Sequence, residues 1–259
     1  MTDEIIFKAT EEKIQNEAEA SRTTGEYLEW LRNQRGGMTL VEAAQARHSV
    51  RAFLDKEIEQ YKQDVLKKAI DEINEKTGFS FQLMINEDKA FSDGKGPEYG
   101  SFSYCRNYFA LVAEKKRDTE VGYWGEHLVL LSQILGLNTC WVALSYRKGK
   151  VPAVINEGEK MYVVIALGYG ANQGKAHTSK EMDELCSVKG EMPEWFRCAM
   201  DCAMLAPTAI NQQKFKFTLN DDGTVTAKAK MGPCAKIDLG IVKYHFELGA
   251  GEHKVEYSA

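Results

Sequence analysis

A helix-like run that empties into an F-x-F-x-L strand occurs twice in this chain, and that recurrence constrains the fold most. The first copy is QYKQDVLKKAIDEINEKTG leading into FSFQLMIN; the second is PEWFRCAMDCAMLAPTAINQQK leading into FKFTLN. Each is followed by another strand and then by a helix carrying aromatics and leucine. An order of helix, strand, strand, helix met twice points to an internal duplication. Chance is the competing explanation, since F-x-F-x-L is a generic strand pattern.

The rest of the path can be read by local rules. Residues 1–37 are polar and charged, with one helical stretch, TGEYLEWLRNQ, stopped by Gly36 and Gly37. They read as an extension, a docking arm or a partly disordered segment. The main domain opens at a capping box, Thr39-x-x-Glu42, in which hydroxyl and carboxylate satisfy orphan amides reciprocally. A helix MTLVEAAQA follows, then RHSVRAF, and then a helix that ends at Gly78. Asn86 to Asn107 is rich in Gly, Asp and Ser without periodicity, and its length suggests a functional loop or lid. YFALVAEK is a strand. In VGYWGEHLVLLSQILGL, Trp124, Leu128, Leu131 and Leu135 form a helical stripe that Leu130 and Ile134 widen, so this helix is expected to be buried on most sides. CWVALS and MYVVIALGYG are strands, the second apolar throughout and so central. Thr178-x-x-Glu181 predicts another capped short helix, and Pro193 suits the first position of PEWFRCAMDCAMLA. FKFTL, NDDG and TVTAKAK form a hairpin, and KIDLGIVKYHFELGAG closes the chain as an amphipathic helix.

Composition excludes several function classes. With 259 residues, 44% of them hydrophobic, there is enough chain for a substantial core. The net charge is −5, and the basic and acidic residues are interspersed, so no nucleic-acid footprint is present. No apolar run reaches the length of a membrane span. Residues 1–37 lack the apolar core of a secretory signal. The six cysteines form no C-x-x-C pair, so neither a zinc site nor any other metal site is expected, and reduced thiols in a cytoplasm are.

Four segments carry chemistry, each with a plainer alternative. RHSVRAF sets Arg47, Ser49 and Arg51 as a possible anion clamp, or as cations facing a helix C-terminus. APTAINQQ is either a helix stop with local side-chain bonds or a convergence of hydroxyl and amide groups on a planar heteroaromatic ligand. GLNTCWVAL brings Thr139 and Cys140 into a loop that can approach a ligand ring, or is a packed helix–strand connection with a buried thiol. GYGANQGKAHTSK offers Lys175 and His177 to a phosphate, or is a solvated loop; it has neither dinucleotide nor Walker A spacing. There is no G-x-S-x-G and no H-E-x-x-H. Any hard chemistry would then belong to a bound cofactor rather than to a side-chain nucleophile.

Taken together and in this order, RHSVRAF, GYWGEHLVLLSQILGLNTCW, VVIALGYG and APTAINQQKFKF resemble the flavin-dependent nitroreductase family, over Met38 to Ala259. The chain looks closest to the family's single-chain branch, in which the fold is repeated within one polypeptide. The resemblance implies an α+β fold of mostly antiparallel sheets flanked by helices, with FMN bound where two subunits meet. It implies that Arg47, His48, Ser49 and Arg51 hold the phosphate end, and that Lys175 and His177 assist. It implies that Thr139, Cys140 and Trp141 line the reactive edge of the ring, and that Pro207, Thr208, Asn211 and Gln213 reach it from across the subunit boundary. Two departures stand out: Lys214-Phe215 replaces a proline–tryptophan, and His177 lies where arginine is common.

In ordinary members the A-P-S-type segment comes one helix after R-x-S-x-R. Here that place reads AIDEINEKTG, and the segment is postponed to the second repeat. The resemblance therefore implies a pseudo-dimer in one chain: repeat one over about 38–180, repeat two over about 181–259, and one complete FMN pocket between them. The activity implied is hydride transfer from NADH or NADPH through FMN to a small electron-poor acceptor, a nitroaromatic or quinone, by a cytoplasmic monomer. The alternatives are a flavin-binding carrier or sensor without turnover, and a flavin-free scaffold whose extension docks a partner.

Overall fold

The computed structural model describes residues 23–35, 37–91 and 101–258. Seven helices and seven strands follow in the order α1 (Thr24–Arg35), α2 (Leu40–Ala46), α3 (Gln60–Thr77), β1 (Gln82–Met84), β2 (Asn107–Glu114), α4 (Asp118–Ile134), β3 (Asn138–Val142), β4 (Glu159–Gly168), α5 (Met182–Leu185), β5 (Cys186–Val188), α6 (Glu194–Ala203), β6 (Phe215–Leu219), β7 (Val225–Ala229) and α7 (Ala235–Ala250) among the described residues. Two sheets form. One has four strands in the order β1-β2-β4-β3, antiparallel throughout; the other has three in the order β5-β6-β7, with only β5 and β6 parallel. The architecture is α+β.

Local signals account for many of the boundaries. Thr39 and Glu42 make the reciprocal capping box, and Gly78 ends α3 in the left-handed conformation at φ 72°, which costs glycine no Cβ clash. β2 and β4 are buried along most of their length because the larger sheet is covered on both faces. One face packs on the main core with α3 and α4; the other carries a smaller core around Val50, Phe53, Tyr108 and Cys140. Helix α4 buries Leu128, Leu130 and Leu131 completely, and Val121, Glu126 and Ser132 besides.

The order helix, strand, strand, helix recurs as α3-β1-β2-α4 and α6-β6-β7-α7, each with an antiparallel strand pair. Phe79 and Phe81 are buried before β1, as Phe215 and Phe217 are within β6. The two stretches differ beyond that. β3 and β4 have no counterpart among the described residues after α7, and β1 keeps only three residues of FSFQLMIN.

Other expectations are corrected. The helix expected after Thr178 begins at Met182 with Glu181 at its N-cap and without a side-chain cap; Thr178 instead gives its carbonyl to Asn211 and Gln213. Pro193 stands at the N-cap of α6, one place before the position expected. β3 starts at Asn138, two residues before the strand expected at Cys140, because Asn138 and Thr139 already pair with Gly168 and Leu167 of β4. The closing helix α7 is not amphipathic: Asp238 and His245 are buried along with Ile241, Val242 and Phe246. It lies against α4 and α6 together, and glycines make that possible. A Cβ on Gly240 would lie 1.8 Å from the Thr119 carbonyl oxygen, one on Gly122 2.0 Å from that of Ile237, and one on Gly249 2.5 Å from that of Cys198.

In the segment ahead of the main domain, Thr23 to Arg35, α1 rests on the chain's own core. Tyr27 is buried, and the Thr24 N–H donates to Glu72 Oε1 at 2.8 Å. The middle of the candidate lid, residues 92–100, lies outside the described residues. Its ends do not: Phe91 packs against Phe102, Tyr108 and Tyr146. Among the described residues no helix is long and apolar enough to cross a membrane.

Candidate functional site

RHSVRAF leaves α2 as an extended strand-like segment. Arg47, the C-cap residue, has ψ 126°. The Val50 N–H then donates to the Thr139 carbonyl at 3.0 Å and the Leu54 N–H to the Tyr169 carbonyl at 2.7 Å, threading the segment between β3 and the turn after β4. Extended backbone sends successive side chains to opposite sides. Arg47, Ser49 and Arg51 accordingly line one cavity, while Val50 is buried in the smaller core. His48 points away from that wall and keeps Nδ1 2.6 Å from the Arg47 carbonyl oxygen.

The facing wall comes from the segment after α6. Pro207, Thr208 and the short turn Ala209–Asn211 line the same cavity. This turn is held from two sides. Asp238, in the first turn of α7, accepts the Ala209 N–H on both oxygens at 3.0 and 3.1 Å and Gln212 Nε2 at 2.7 Å. Gln213 donates Nε2 to the Thr178 carbonyl and accepts the Lys180 N–H, so it is a buried brace behind the wall. Ile210, Asn211 and Gln213 all have left-handed φ, 49°, 54° and 46°, an outlier for β-branched isoleucine that marks a strained segment. Burial pushes the Asp238 carboxyl up to about 6, against the lowering effect of those hydrogen bonds.

Trp141 of β3, Lys175 and His177 complete the wall, and the cavity measures about 850 Å³. Gly174, at φ 71°, lies where a Cβ would meet His48 Cβ at 2.8 Å and the Ser49 carbonyl oxygen at 2.9 Å; only glycine lets the basic loop close this tightly over RHSVRAF. His177 is half-buried, with Nε2 3.0 Å from the Met204 carbonyl oxygen, and burial holds its pKa down, with Arg47 and His245 adding to the effect. His48 is likewise lowered by burial and then by Arg47.

Of the thirteen candidate residues, nine line this one cavity: Arg47, Ser49, Arg51, Trp141, Lys175, His177, Pro207, Thr208 and Asn211. The remaining four, His48, Thr139, Cys140 and Gln213, do not line it. Thr139 is buried and pairs through its backbone with β4 and Val50, and Cys140 points into the smaller core with a thiol pushed up by burial. Asp238, Ile237 and Ile241 of α7 line the cavity without having been singled out in the sequence. The available signal was a carboxylate on the apolar face of KIDLGIV.

Fold and cavity together define the class: an α+β protein of nitroreductase-like fold, with a cationic, partly apolar cavity closed by segments far apart in the chain. The chain belongs to the family described as "Putative TM nitroreductase", whose model matches residues 39–250. Among solved structures it is similar to a "putative nitroreductase" from Thermotoga maritima MSB8, at 23% identity and a TM-score of 0.56, covering 82% of this chain and 84% of that one. At that identity the likeness concerns the fold. A shorter structure, "Nitroreductase with Bound FMN" from Bacteroides fragilis NCTC 9343, aligns at 22% identity and a TM-score of 0.41 over 56% of this chain and 94% of that one. No curated protein matches this chain.

Proposed function

We propose that this protein is an FMN-dependent NAD(P)H oxidoreductase in which two divergent repeats of one polypeptide act as a pseudo-dimer around one flavin site. One observation carries the reading. Arg47, Ser49 and Arg51 from the first part of the chain share a single cavity with Pro207, Thr208 and Asn211 from the second.

The residues present fit such a group. Arg47, Arg51 and Lys175 offer positive charge to a phosphate. Arg47 also carries a buried Nε without a hydrogen-bond partner among the described residues. Trp141, Ile237 and Ile241 supply flat and apolar surface for a planar ring, and the volume falls in the ~300–1,000 Å³ range of cofactor and ligand sites.

When bound, FMN supplies a reversible two-electron acceptor for hydride. The chain's task is to hold and orient. Thr208 Oγ1 accepts the Gln213 N–H at 3.0 Å, which leaves its hydroxyl proton for a ligand acceptor. Asn211 gives Nδ2 to the Thr178 carbonyl and takes Gln213 Nε2 on Oδ1, so one amide proton and one lone pair remain for the cavity. Trp141 turns its indole N–H away to Glu126 and presents carbon surface. Cys140 is buried with its thiol held protonated, so it is no nucleophile. A nicotinamide and then an electron-poor acceptor, nitroaromatic or quinone, would occupy the same face in turn, giving ping-pong kinetics.

The test is a visible spectrum of the purified protein before and after FMN, and then with NADH or NADPH without oxygen. Flavin bands that bleach with the reductant support the reading. Bands that persist make the protein a flavin carrier or sensor. A colourless protein that FMN does not change is a flavin-free scaffold.

A further inference from the structure

Behind Arg47 lies a polar cluster that no cavity contact requires. Glu126 of α4 and His245 of α7 are both fully buried. His245 Nε2 lies 2.8 Å from Glu126 Oε1, and His245 Nδ1 lies 3.2 Å from the Cys202 carbonyl oxygen. Trp141 donates its indole N–H to Glu126 Oε2 at 2.8 Å, and Arg47 Nε lies 4.0 Å from Glu126 Oε1. A single carboxylate thus touches two residues of the cavity wall, and an imidazole from the other half of the chain holds it.

His245 faces an acceptor at each ring nitrogen, Glu126 Oε1 and the Cys202 carbonyl oxygen, so its contacts pin the Glu126 carboxyl between α4 and α6. Arg47 is itself buried, and burial pushes its pKa down while Glu126 opposes that effect. Its Nε has no hydrogen-bond partner among the described residues, although Glu126 Oε1 lies 4.0 Å away. A buried guanidinium with an unused donor is costly, and the same side chain lines the cavity, where an anion can reach it.

We infer that Glu126 and His245 are positioning residues: they set Arg47 and Trp141 on the cavity wall, so that the Arg47 guanidinium faces the phosphate of the cofactor. This rests on the FMN reading above. It also makes that site depend on both repeats, because α7 supplies the imidazole that fixes a carboxylate on α4.

The test compares FMN and riboflavin affinities of the full-length apoprotein by flavin fluorescence titration, in the wild type, Glu126→Gln, Arg47→Met and the double variant. Glu126→Gln keeps an oxygen to accept the Trp141 indole N–H and removes the carboxylate that faces Arg47 Nε. FMN is expected to bind Glu126→Gln more weakly by roughly 10-fold, as when an orienting partner one step behind a ligand is removed. Riboflavin, which lacks the phosphate, should bind as it does to wild type. In the Arg47→Met background the Glu126 substitution should add nothing.

Equal losses for FMN and riboflavin, or the same loss with and without Arg47, would overturn the inference while leaving the FMN reading intact. So would unchanged FMN affinity in Glu126→Gln. A wild type that binds no FMN would overturn both. Should Glu126→Gln not fold, His245→Gln, which leaves the carboxylate in place, is expected to show the same selective loss of FMN, and its absence there counts equally against the inference.

Discussion

Replacing Gly240 with alanine tests the helix junction on which the candidate site is built. The added Cβ would lie 1.8 Å from the Thr119 carbonyl oxygen and 2.7 Å from the Tyr123 nitrogen, backbone atoms that cannot swing aside as a side chain would. To reach even 3.0 Å from the oxygen, α7 and α4 must part by about 1.2 Å. Overpacking of a tight interior costs ~1–3 kcal/mol, and with backbone on both sides the upper figure applies. The higher helix propensity of alanine returns ~1 kcal/mol, which leaves a net loss of about 2 kcal/mol. With an m-value of roughly 2 kcal/mol/M, the urea midpoint followed by far-ultraviolet circular dichroism should fall by about 1 M. Gly149→Ala is the control: a Cβ there meets nothing within 4 Å, and its stability should stay within ~0.5 kcal/mol of wild type, a midpoint shift of no more than about 0.25 M. A Gly240→Ala midpoint equal to or above that control would refute the close approach of α4 and α7.

Two further outcomes follow from the cavity walls. Asp238 has a folded pKa of about 6 against an ordinary 3.8. Its stabilising contribution is therefore present below the unfolded value and lost as pH rises through about 6, a span worth up to about 3 kcal/mol. Asp238→Asn should flatten the pH dependence of stability between about pH 4 and 7, and parallel profiles for the two proteins in urea titrations would exclude Asp238 as its source. Ile210, at φ 49° and 67% exposed, holds a left-handed conformation that costs a β-branched residue ~1–2 kcal/mol and asparagine less. Ile210→Asn should raise the melting temperature by roughly 2–4 °C; a fall would show that packing, not strain, dominates there.

Much of the fold could be read from the chain because the relevant signals are local. The capping box at Thr39, the glycine stop at Gly78 and the turn between β6 and β7 depend on residues within a few positions of one another, and each stands where expected. The Leu128–Leu131–Leu135 stripe and the apolar run of β4 report burial directly. The errors fell where a distant partner outweighed a local rule. Thr178 reads as a cap, yet its carbonyl is taken by Asn211 and Gln213. KIDLGIVKYHF reads as a helix with a wet face, yet α4 and α6 cover both sides, because Gly122, Gly240 and Gly249 let backbones touch. In the candidate site, motif reading found segments, not directions. Arg47, Ser49 and Arg51 face the cavity, and His48 does not, because the segment is extended and tied to Thr139.

The sequence by itself determined the element types, through short-range periodicity and capping, while the resemblance carried by its motifs in order implied the family and the two segments that would face one another. Tertiary structure alone decided how the buried charges are shared. Arg47, Glu126, Trp141 and His245 have no spacing in the chain that relates them, and they interact at 2.8 to 4.0 Å only after α4 and α7 have closed. A carboxylate in water interacts weakly with a guanidinium; buried beside it in a medium of low dielectric, the two interact strongly enough to constrain one another.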